Sequence, residues 1–231
     1  MANGHSAASG ARVILFMGAP GTGKGTQSSR LSSELGIPCL STGEILRSEA
    51  KRNTVAGSRL RQLLASGSLA SDEMVCGLVG ARLRREVSAI LDGFPRTVKQ
   101  AAYLDELLDE LGLPRPVVLH LHVSKRGLLR RLTGRRQCAV CGAIYNLHSR
   151  PSLRGSRCEN DGGALVERDD DTETVVLRRL AEFENAVAPL IDYYRGPEYH
   201  LINGDRDPDV VAQELLTILQ GQDVCIPAYG D

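Results

Sequence analysis

The 231-residue sequence lacks tryptophan altogether, and aromatic residues make up only 4% of it. It also lacks an excess of charge of either sign, because 28 Lys and Arg balance 28 Asp and Glu. A net charge of zero excludes a general electrostatic attraction to nucleic acid or to anionic membranes. No apolar run is long enough to cross a bilayer, and the first ten residues lack the apolar centre of a secretion signal. We therefore expect a cytoplasmic protein with neither a nucleic-acid nor a membrane partner.

The sequence does contain an ordinary apolar fraction of 42%, arranged as short apolar runs that alternate with helical patterns. A continuous run such as Val13 to Met17 is typical of a buried parallel strand, and Gly36 is placed to end the helix that follows. Strands that alternate with helices predict an α/β fold with a five-stranded parallel sheet flanked by helices. The expected strands cover residues 13–17, 37–40, 89–91, 117–123 and 199–202, and the expected helices include 97–111, 124–132 and 172–194.

Two segments interrupt this alternation. Residues 41–70 have a mainly helical pattern with arginines, whereas residues 134–171 are rich in Gly, Arg, Asp and Cys. We interpret both as insertions into one core. The expected organisation is a core of residues 11–40, 71–133 and 172–221, the insertions 41–70 and 134–171, and flexible tails at 1–10 and 222–231.

The stretch GAPGTGKGTQ, residues 18–27, has the G-x-x-x-x-G-K spacing of a P-loop and lies between a predicted strand and a predicted helix. Its glycines allow successive backbone N–H groups to converge on phosphate oxygens, and the helix N-terminus adds a positive dipole end. Lys24 can reach the β and γ phosphates of a nucleoside triphosphate. Gly25 stands where a P-loop usually has a magnesium-binding hydroxyl, which follows here at Thr26. The alternative is a glycine-rich turn of another fold, and a P-loop alone does not separate a GTPase, an ATPase and a small-molecule kinase.

A second substrate pocket is predicted first by the stretch STGEILR. Ser41 and Glu44 form a capping box, so a helix begins there. Thr42 lies at the open first turn of that helix, and Arg47 has the helical spacing that could turn its side chain inward. A solvated surface charge is the alternative interpretation of this arginine.

The stretch LDGFPRT, residues 91–97, follows a predicted strand and supplies the other side of that pocket. Asp92 would lie at the carboxyl end of the strand, where a carboxylate can hold Mg²⁺ through water. Arg96 follows a proline on a turn, and Gln100 lies four residues later, on the same helix face as Arg96. A glutamine amide can pair with the N6 and ring-nitrogen edge of adenine.

Three of the six cysteines form a cluster with metal-binding spacing. Cys138 and Cys141 make a C-x-x-C knuckle, Cys158 begins a second knuckle, and Asp161 stands where a fourth cysteine would complete it. Zinc accepts both thiolate and carboxylate ligands, so we predict that these four residues bind a structural zinc ion. Such an ion would stabilise an insertion that is too small for a core of its own. His148 is a rival fourth ligand, and three unligated or redox-sensing cysteines are the alternative to a metal site.

In order and spacing, GAPGTGKGTQ, STGEILR, LDGFPRT, GRR at 134–136 and ERDDDTETVVLRRL resemble the adenylate kinase family over residues 12–221. The resemblance implies a P-loop NTPase-type core, a mobile helical AMP-binding insertion and a mobile lid of the long type that some bacterial members stabilise with zinc. It implies the magnesium-dependent reaction ATP + AMP ⇌ 2 ADP, which balances the adenine nucleotides. It also implies that the protein is a monomer. Gly25 is usual in this family. The family more often has Asp at Glu44 and a Val-Pro or similar pair at Ala70 and Ser71, and these departures concern only the fine shape of the AMP pocket.

The same resemblance implies roles for individual residues. Arg131 would lie on the ATP base and Arg135 on the phosphates, while Gly204 would accept the adenine edge through its backbone. Arg168 and Arg179 would close as a pair between the lid and the core. The implied ATP-binding residues are Gly21, Thr22, Gly23, Lys24, Gly25, Thr26, Arg131, Arg135 and Gly204. The implied AMP-binding residues are Thr42, Arg47, Gly67, Leu69, Ala70, Gly93, Arg96, Gln100, Arg168 and Arg179.

Phosphoryl transfer depends on in-line geometry and on positive charge around the moving group, with little covalent chemistry. A lid that closes over both substrates would also exclude water, which would otherwise hydrolyse ATP. Two other functions remain open at this point: another nucleoside monophosphate kinase, including one with GTP as donor, and a zinc-stabilised nucleotide sensor without turnover. The expected catalytic set is Lys24, Arg96, Arg135, Arg168 and Arg179, together with Mg²⁺.

Overall fold

The structure, a computed structural model, describes residues 12–66, 70–86 and 88–221. The tails expected at 1–10 and 222–231 and the expected AMP-site residues Gly67 and Leu69 lie outside the described residues. In chain order the elements are β1 (Val13–Met17), α1 (Lys24–Leu35), β2 (Cys39–Ser41), α2 (Thr42–Lys51), α3 (Val55–Ser66), α4 (Asp72–Leu83), β3 (Ala89–Asp92), α5 (Val98–Glu110), β4 (Val117–His122), α6 (Lys125–Thr133), β5 (Arg135–Cys138), β6 (Ile144–Asn146), β7 (Leu165–Val166), α7 (Glu173–Tyr194), β8 (Tyr199–Asn203) and α8 (Pro208–Leu219).

A five-stranded parallel sheet with the order β2-β3-β1-β4-β8 forms the centre of the molecule. Helices cover it on both sides, so the predicted α/β fold is confirmed. All five residues of the central strand β1 are buried, as a continuous apolar run in a parallel sheet requires. The carboxyl ends of the strands meet at one edge of the sheet, and that edge is where open α/β sheets bind their ligands.

Successive side chains of β1 enter two different hydrophobic cores, because side chains alternate between the faces of a sheet. Leu15 packs in a core that includes Val79 of α4 and Leu104 of α5. Phe16 packs on the opposite face with Leu31 of α1 and with residues of α8. Full burial of each such side chain contributes about 1.5–3 kcal/mol, so the two cores hold the strand that precedes the glycine-rich stretch firmly in place.

The elements differ from the sequence-based expectation in the bounds of several strands and helices and in two helices that were not expected. Strand β2 begins at Cys39 instead of residue 37, since Pro38 has no N–H to donate to a ladder and only its carbonyl pairs, with the N–H of Ile90 at 2.9 Å. The helices α4 and α8 were not named from the sequence, although both carry start signals. Ser71 caps α4 by accepting from the N–H of Met74, and Asp207 caps α8 just before a proline at its first position.

The two segments that interrupt the alternation have different structures. Residues 41–66 form α2 and α3, and Ser41 caps α2 by accepting from the N–H of Glu44 at 3.5 Å. The strands β5, β6 and β7 form a separate antiparallel sheet with the order β6-β5-β7. Its buried core consists only of Cys138, Tyr145 and Cys158, with two partly buried neighbours. So small a core needs another source of stability.

No helix in the described parts of the chain is both long enough and apolar enough to cross a membrane.

Candidate functional site

A cavity of about 1680 Å³ opens at the carboxyl edge of the parallel sheet. Its wall combines residues of the core, of α2 and α3, and of the β5–β7 segment, which lie far apart in the sequence. Of the expected site residues, Thr42 and Gln100 line a small cavity that shares part of this wall. The expected residues on the wall of the large cavity are Gly21, Thr22, Gly23, Lys24, Gly25, Thr26, Arg47, Ala70, Asp92, Gly93, Arg96, Arg131, Arg135, Cys141, Arg168, Arg179 and Gly204.

The turn between β1 and α1 has the backbone of a phosphate-binding loop. Gly18 and Gly23 have φ angles of 139° and 99°, a region that side chains rarely adopt. A Cβ atom on Gly18 would also lie 2.4 Å from the carbonyl oxygen of Leu121. Lys24 Nζ curls back over the loop and donates to the carbonyls of Gly18 at 2.7 Å and Ala19 at 2.9 Å. Its ammonium group is therefore already aimed at the space that the loop encloses.

The electrostatic state of Lys24 is set by its surroundings. The pKa of Lys24 is lowered to about 8, mainly by burial. Asp92 raises this pKa, whereas Arg96 and two further arginines lower it. Asp92 is the last residue of β3, pairs in register with Phe16 of β1, and lies close to the first turn of α1. A Cβ atom on Gly25 would be 3.4 Å from Asp92 Oδ2. A carboxylate is a hard oxygen donor that suits Mg²⁺ with water in its remaining positions, and Thr26, the residue after Gly25, supplies a hydroxyl on the same cavity wall.

The chain after β3 carries the predicted acceptor residues. Thr42 Oγ1 donates to the carbonyls of Asp92 at 3.2 Å and Gly93 at 2.9 Å, which ties the start of α2 to this turn. Arg96 Nε donates to the Gly93 carbonyl at 2.8 Å. Arg96 is open to water in the cavity but has protein on its other sides, and this desolvation lowers its pKa against the opposing effect of Asp92.

The expected shared helix face of Arg96 and Gln100 is not what the structure shows. Helix α5 begins only at Val98, with Thr97 as its capping residue, so Arg96 precedes the helix. The two residues are joined directly instead, since the backbone N–H of Arg96 donates to Gln100 Oε1 at 2.8 Å. Gln100 is 3% exposed, and its amide also donates from Nε2 to Asp72 Oδ1 at 2.7 Å.

Two carboxylates in the residues just before α7 hold the predicted lid and core arginines. Asp170 accepts from Arg168 Nε at 3.0 Å and pairs with Arg179 Nη1 at 3.0 Å. Asp171 is buried and accepts from Arg135 Nε at 2.5 Å. Burial would raise the pKa of Asp170, but the three neighbouring arginines outweigh it and lower that pKa. No role for these aspartates was predicted from the sequence, although the run of three at 169–171 was a visible signal.

Positive charge nevertheless dominates the cavity. Burial lowers the pKa of Arg47 to about 10, and Arg168, the next largest cause, lowers it further. The pKa values of Arg131 and Arg179 are also lowered, again mainly by burial. Cations that are desolvated and close to one another favour an anionic ligand, because its negative charge would offset both their lost hydration and their mutual repulsion. The cavity is therefore suited to polyphosphate groups.

Arg131 connects the phosphate loop to the end of β8. Its Nη2 donates to the Gly204 carbonyl at 2.7 Å and its Nη1 to the Thr22 carbonyl at 3.2 Å. The structure thus brings together the residues that the resemblance places around the ATP base. The carbonyl of Gly204 accepts this hydrogen bond in the structure.

The four predicted metal ligands also converge. The Sγ atoms of Cys138, Cys141 and Cys158 and a carboxylate oxygen of Asp161 all lie within 4.8 Å of one another. The Cys141 and Cys158 sulfurs are 3.6 Å apart, close to the value of about 3.8 Å for two thiolates on one tetrahedral zinc at ~2.3 Å. The donor set and its spacing therefore fit zinc.

The two halves of this cluster are built alike. In the first, the N–H of Gly142 donates to the Cys138 carbonyl at 3.1 Å, and in the second Gly162 donates to the Cys158 carbonyl at 3.0 Å. Both glycines have φ angles above 70°. Asp161 thus holds the position in the second knuckle that a cysteine holds in the first.

His148 lies elsewhere. A Cβ atom on Gly134, at the start of the lid segment, would be 2.7 Å from His148 Cδ2. The backbone N–H of His148 donates to Asn146 Oδ1 at 2.9 Å. The structure brings Asp161, and not His148, to the three cysteines.

A lysine in a P-loop, a carboxylate at the next strand end and arginines from three segments around one cavity are the means of phosphoryl transfer. The class that this fold and site define is the P-loop phosphotransferases.

Comparison with known proteins identifies the family within that class. The adenylate kinase family model matches residues 16–198. Over 90% of its length the chain is 39% identical to an adenylate kinase of Oceanobacillus iheyensis, of which it covers 98%. It is 41% identical to one of Archaeoglobus fulgidus, over 90% of this chain and 97% of that protein. One of Citrifermentans bemidjiense is 45% identical over 79% of this chain and 86% of its own length. The chain belongs to the adenylate kinase family and is a phosphotransferase.

Proposed function

We propose that the protein catalyses the reversible transfer ATP + AMP ⇌ 2 ADP and so balances the adenine nucleotides. The observation that carries the proposal is that one cavity holds Lys24 between two groups of arginines. Arg47 and Arg96 lie on the side of α2 and α5, and Arg131 and Arg135 lie on the side of α6 and β5. Two phosphorylated substrates that meet at Lys24 would each have arginines of their own.

The acceptor in this reaction is a phosphate oxygen that is already ionised, so no general base is needed. Lys24 would bind the β and γ phosphates, while Arg96 would bind the phosphate of AMP. The remaining arginines, Arg135, Arg168 and Arg179, would balance negative charge on the transferred group. Asp92 would hold Mg²⁺ through water, and this ion supplies further neutralisation of the phosphate oxygens when it is bound.

We propose residues 41–70 and 134–171 as a mobile AMP-binding domain and a mobile lid. Contacts between α3 and residues 169–171 support this, because they join the AMP side of the cavity to the base of the lid. Arg47 and Arg168 also lie close enough for Arg168 to lower the pKa of Arg47. Closure over both substrates would exclude water and complete the arginine cage. We expect opening to limit turnover, so kcat should fall with solvent viscosity.

The lid would be stabilised by one structural zinc ion on Cys138, Cys141, Cys158 and Asp161. Support comes from the fit of these four donors to a tetrahedral ion and from the small core of the lid. A site with four protein ligands has no open position for substrate, so this ion would have no catalytic role. The cytoplasmic location and the monomeric state stay predictions from the sequence.

The test of this function is a coupled assay with Mg²⁺, ATP or GTP as donor, and AMP, GMP, CMP or UMP as acceptor. ADP should form from ATP and AMP much faster than product forms from any other pair. A preference for another acceptor or for GTP would indicate a different nucleoside monophosphate kinase. Nucleotide binding without turnover would indicate a sensor.

A further inference from the structure

Both ends of the Gln100 side-chain amide form hydrogen bonds, and their two partners are compatible with only one orientation of the amide. The backbone N–H of Arg96 is a donor and faces Oε1 at 2.8 Å. The carboxylate of Asp72 is an acceptor when ionised and faces Nε2 at 2.7 Å. Rotation of the amide by 180° would set donor against donor at one end and acceptor against acceptor at the other.

This fixed amide lines a small cavity that shares Arg96 and Gly93 with the wall of the large cavity. Each end of the amide has one further hydrogen-bonding position, a second lone pair on Oε1 and a second hydrogen on Nε2. An acceptor beside a donor matches the N6 amino group and N1 of adenine. The same edge of hypoxanthine or guanine has the opposite pattern, with O6 as acceptor and N1–H as donor. A rotated amide would suit those bases.

We propose that Asp72 is a positioning residue that sets the acceptor specificity of the enzyme by fixing the orientation of the Gln100 amide. The proposal rests on the proposed function, with AMP as the acceptor bound at Gln100. Asp72 is well placed for this because it is the first residue of α4, preceded by the capping Ser71. It also accepts from Thr97 Oγ1 at 3.1 Å, which holds its carboxylate toward α5.

Asparagine at position 72 would remove the fixed orientation with little change in shape. Its side chain offers a donor as well as an acceptor, so it can pair with either orientation of Gln100. The N–H of Arg96 would still favour the original orientation. Asp72→Asn should therefore relax specificity without inverting it.

The experiment measures kcat/KM for AMP and for IMP with ATP as donor, on the wild type and on Asp72→Asn, with GMP as a third acceptor. A hydrogen bond to an ionised group predicts that the AMP-to-IMP ratio falls about tenfold in the variant. Both values come from one preparation, so the ratio does not depend on how much of the protein is folded. Asp72→Ala, measured in parallel, keeps the test available if the asparagine variant does not fold.

Glu73→Gln is the matched control. It makes the same change of charge one residue later in the same helical turn, but Glu73 is exposed and pairs with Lys99 at 2.6 Å. Its AMP-to-IMP ratio should equal that of the wild type. A second comparison repeats Asp72→Asn in the Gln100→Ala background, where no further change in the ratio is expected because the amide is gone.

The outcomes separate this inference from the proposed function. If the wild type forms no ADP from AMP, the proposed function fails. If the wild type prefers AMP but Asp72→Asn keeps the same ratio, Asp72 is only structural and the inference alone is overturned. The inference would also be overturned if Glu73→Gln lowered the AMP-to-IMP ratio of kcat/KM as much as Asp72→Asn does. The same holds if Asp72→Asn lowered this ratio equally in the wild-type and the Gln100→Ala backgrounds.

Discussion

The carboxylate of Asp171, which is only 1% exposed, accepts a hydrogen bond from Arg135 Nε at 2.5 Å. The same carboxylate lies 3.3 Å from Arg179 Nη1. One buried anion therefore connects β5, where the lid segment begins, to α7 of the core. It also holds two of the proposed catalytic arginines in the cavity when no phosphate is there to hold them.

Asp171→Asn should destabilise the protein and lower its activity. Loss of one partner from a buried ion pair costs about 3 kcal/mol or more, because the arginines stay partly buried without their counter-charge. In a chain of this size that corresponds to a fall in Tm of roughly 6–12 °C by calorimetry. The control is Asp209→Asn, which removes an exposed pair with Arg30 and should change the free energy of unfolding by less than about 1 kcal/mol. Equal shifts in the two variants would contradict this account.

The pH profile should report the titration of Lys24. Burial lowers its pKa to about 8, so the ammonium group loses its charge above that pH. We expect kcat/KM for ATP to fall by about tenfold per pH unit above pH 8, measured between pH 6 and 10. Lys24→Arg, which stays charged over this range, should lack the decline whatever its absolute rate. A wild-type profile that is flat to pH 9.5 would refute the assignment.

The same shift has the opposite effect on stability. The folded protein loses the Lys24 proton near pH 8, whereas the unfolded chain keeps it up to the ordinary value of 10.5. Because the unfolded state binds more protons in this window, the Lys24 contribution to the free energy of unfolding rises with pH between about 8 and 10.5. Denaturant titrations at several pH values give the free energy of unfolding as a function of pH for the wild type and for Lys24→Met. The two curves should differ in slope only between about pH 8 and 10.5, and parallel curves would count against the lowered pKa of Lys24.

Gly93→Ala should weaken AMP binding. Gly93 has a φ angle of 80°, and a Cβ atom there would lie 2.8 Å from Thr42 Oγ1 and 2.9 Å from Arg96 Nη2. The substitution therefore adds crowding of two proposed AMP residues to backbone strain of about 1–3 kcal/mol. We expect KM for AMP to rise about tenfold or more in steady-state assays, with KM for ATP changing much less.

Gly112→Ala is the control for that substitution. Gly112 has a φ angle of 64°, but a Cβ atom there would meet nothing within 4 Å. It should lower stability through backbone strain alone and leave KM for AMP unchanged. If both variants raise KM for AMP alike, the crowding of Thr42 and Arg96 is not the cause.

Removal of the lid metal should lower stability more than activity. Metal analysis of protein never exposed to chelator should find about one zinc ion per chain, and chelation should lower Tm by several degrees while activity at low temperature persists. Asp161→Ala should lose the ion, whereas Asp161→Cys should keep it, because the site then has the ordinary four thiolates. Cys76→Ser, which alters a thiol outside the lid, should retain the full metal content. Metal retained in Asp161→Ala would exclude Asp161 as a ligand.

The sequence was sufficient for the parts of the site that are built from neighbouring residues. The phosphate loop lies within residues 18–27, and the residue type permits the positive φ angles of Gly18, Gly21 and Gly23. The two knuckles of the lid are equally local, so their spacing predicted the cluster of Cys138, Cys141, Cys158 and Asp161. A continuous apolar run predicted β1 for the same reason, since its burial on both faces requires that composition.

Some details could not be read from local pattern. Arg96 was expected to share a helix face with Gln100, but α5 begins at Val98, and the two residues are joined instead by a hydrogen bond from the Arg96 N–H to Gln100 Oε1. The aspartates at 170 and 171 were visible as a charged run. Such a run is compatible with a solvated surface, and only the structure showed that Asp171 is buried and accepts a hydrogen bond from Arg135.

By itself the sequence determined the α/β fold, the phosphate loop, the order of the site motifs and the cluster of three cysteines with Asp161. Each of these depends on residue type and on spacing along a short stretch of chain. Only the tertiary structure decided which distant residues are hydrogen-bonded to the site residues: Asp72 to Gln100, Asp171 to Arg135, and Arg131 to Gly204, pairs that are 28, 36 and 73 residues apart. Contacts over such separations follow from the packing of helices and strands against one another, and packing is a property of the whole chain.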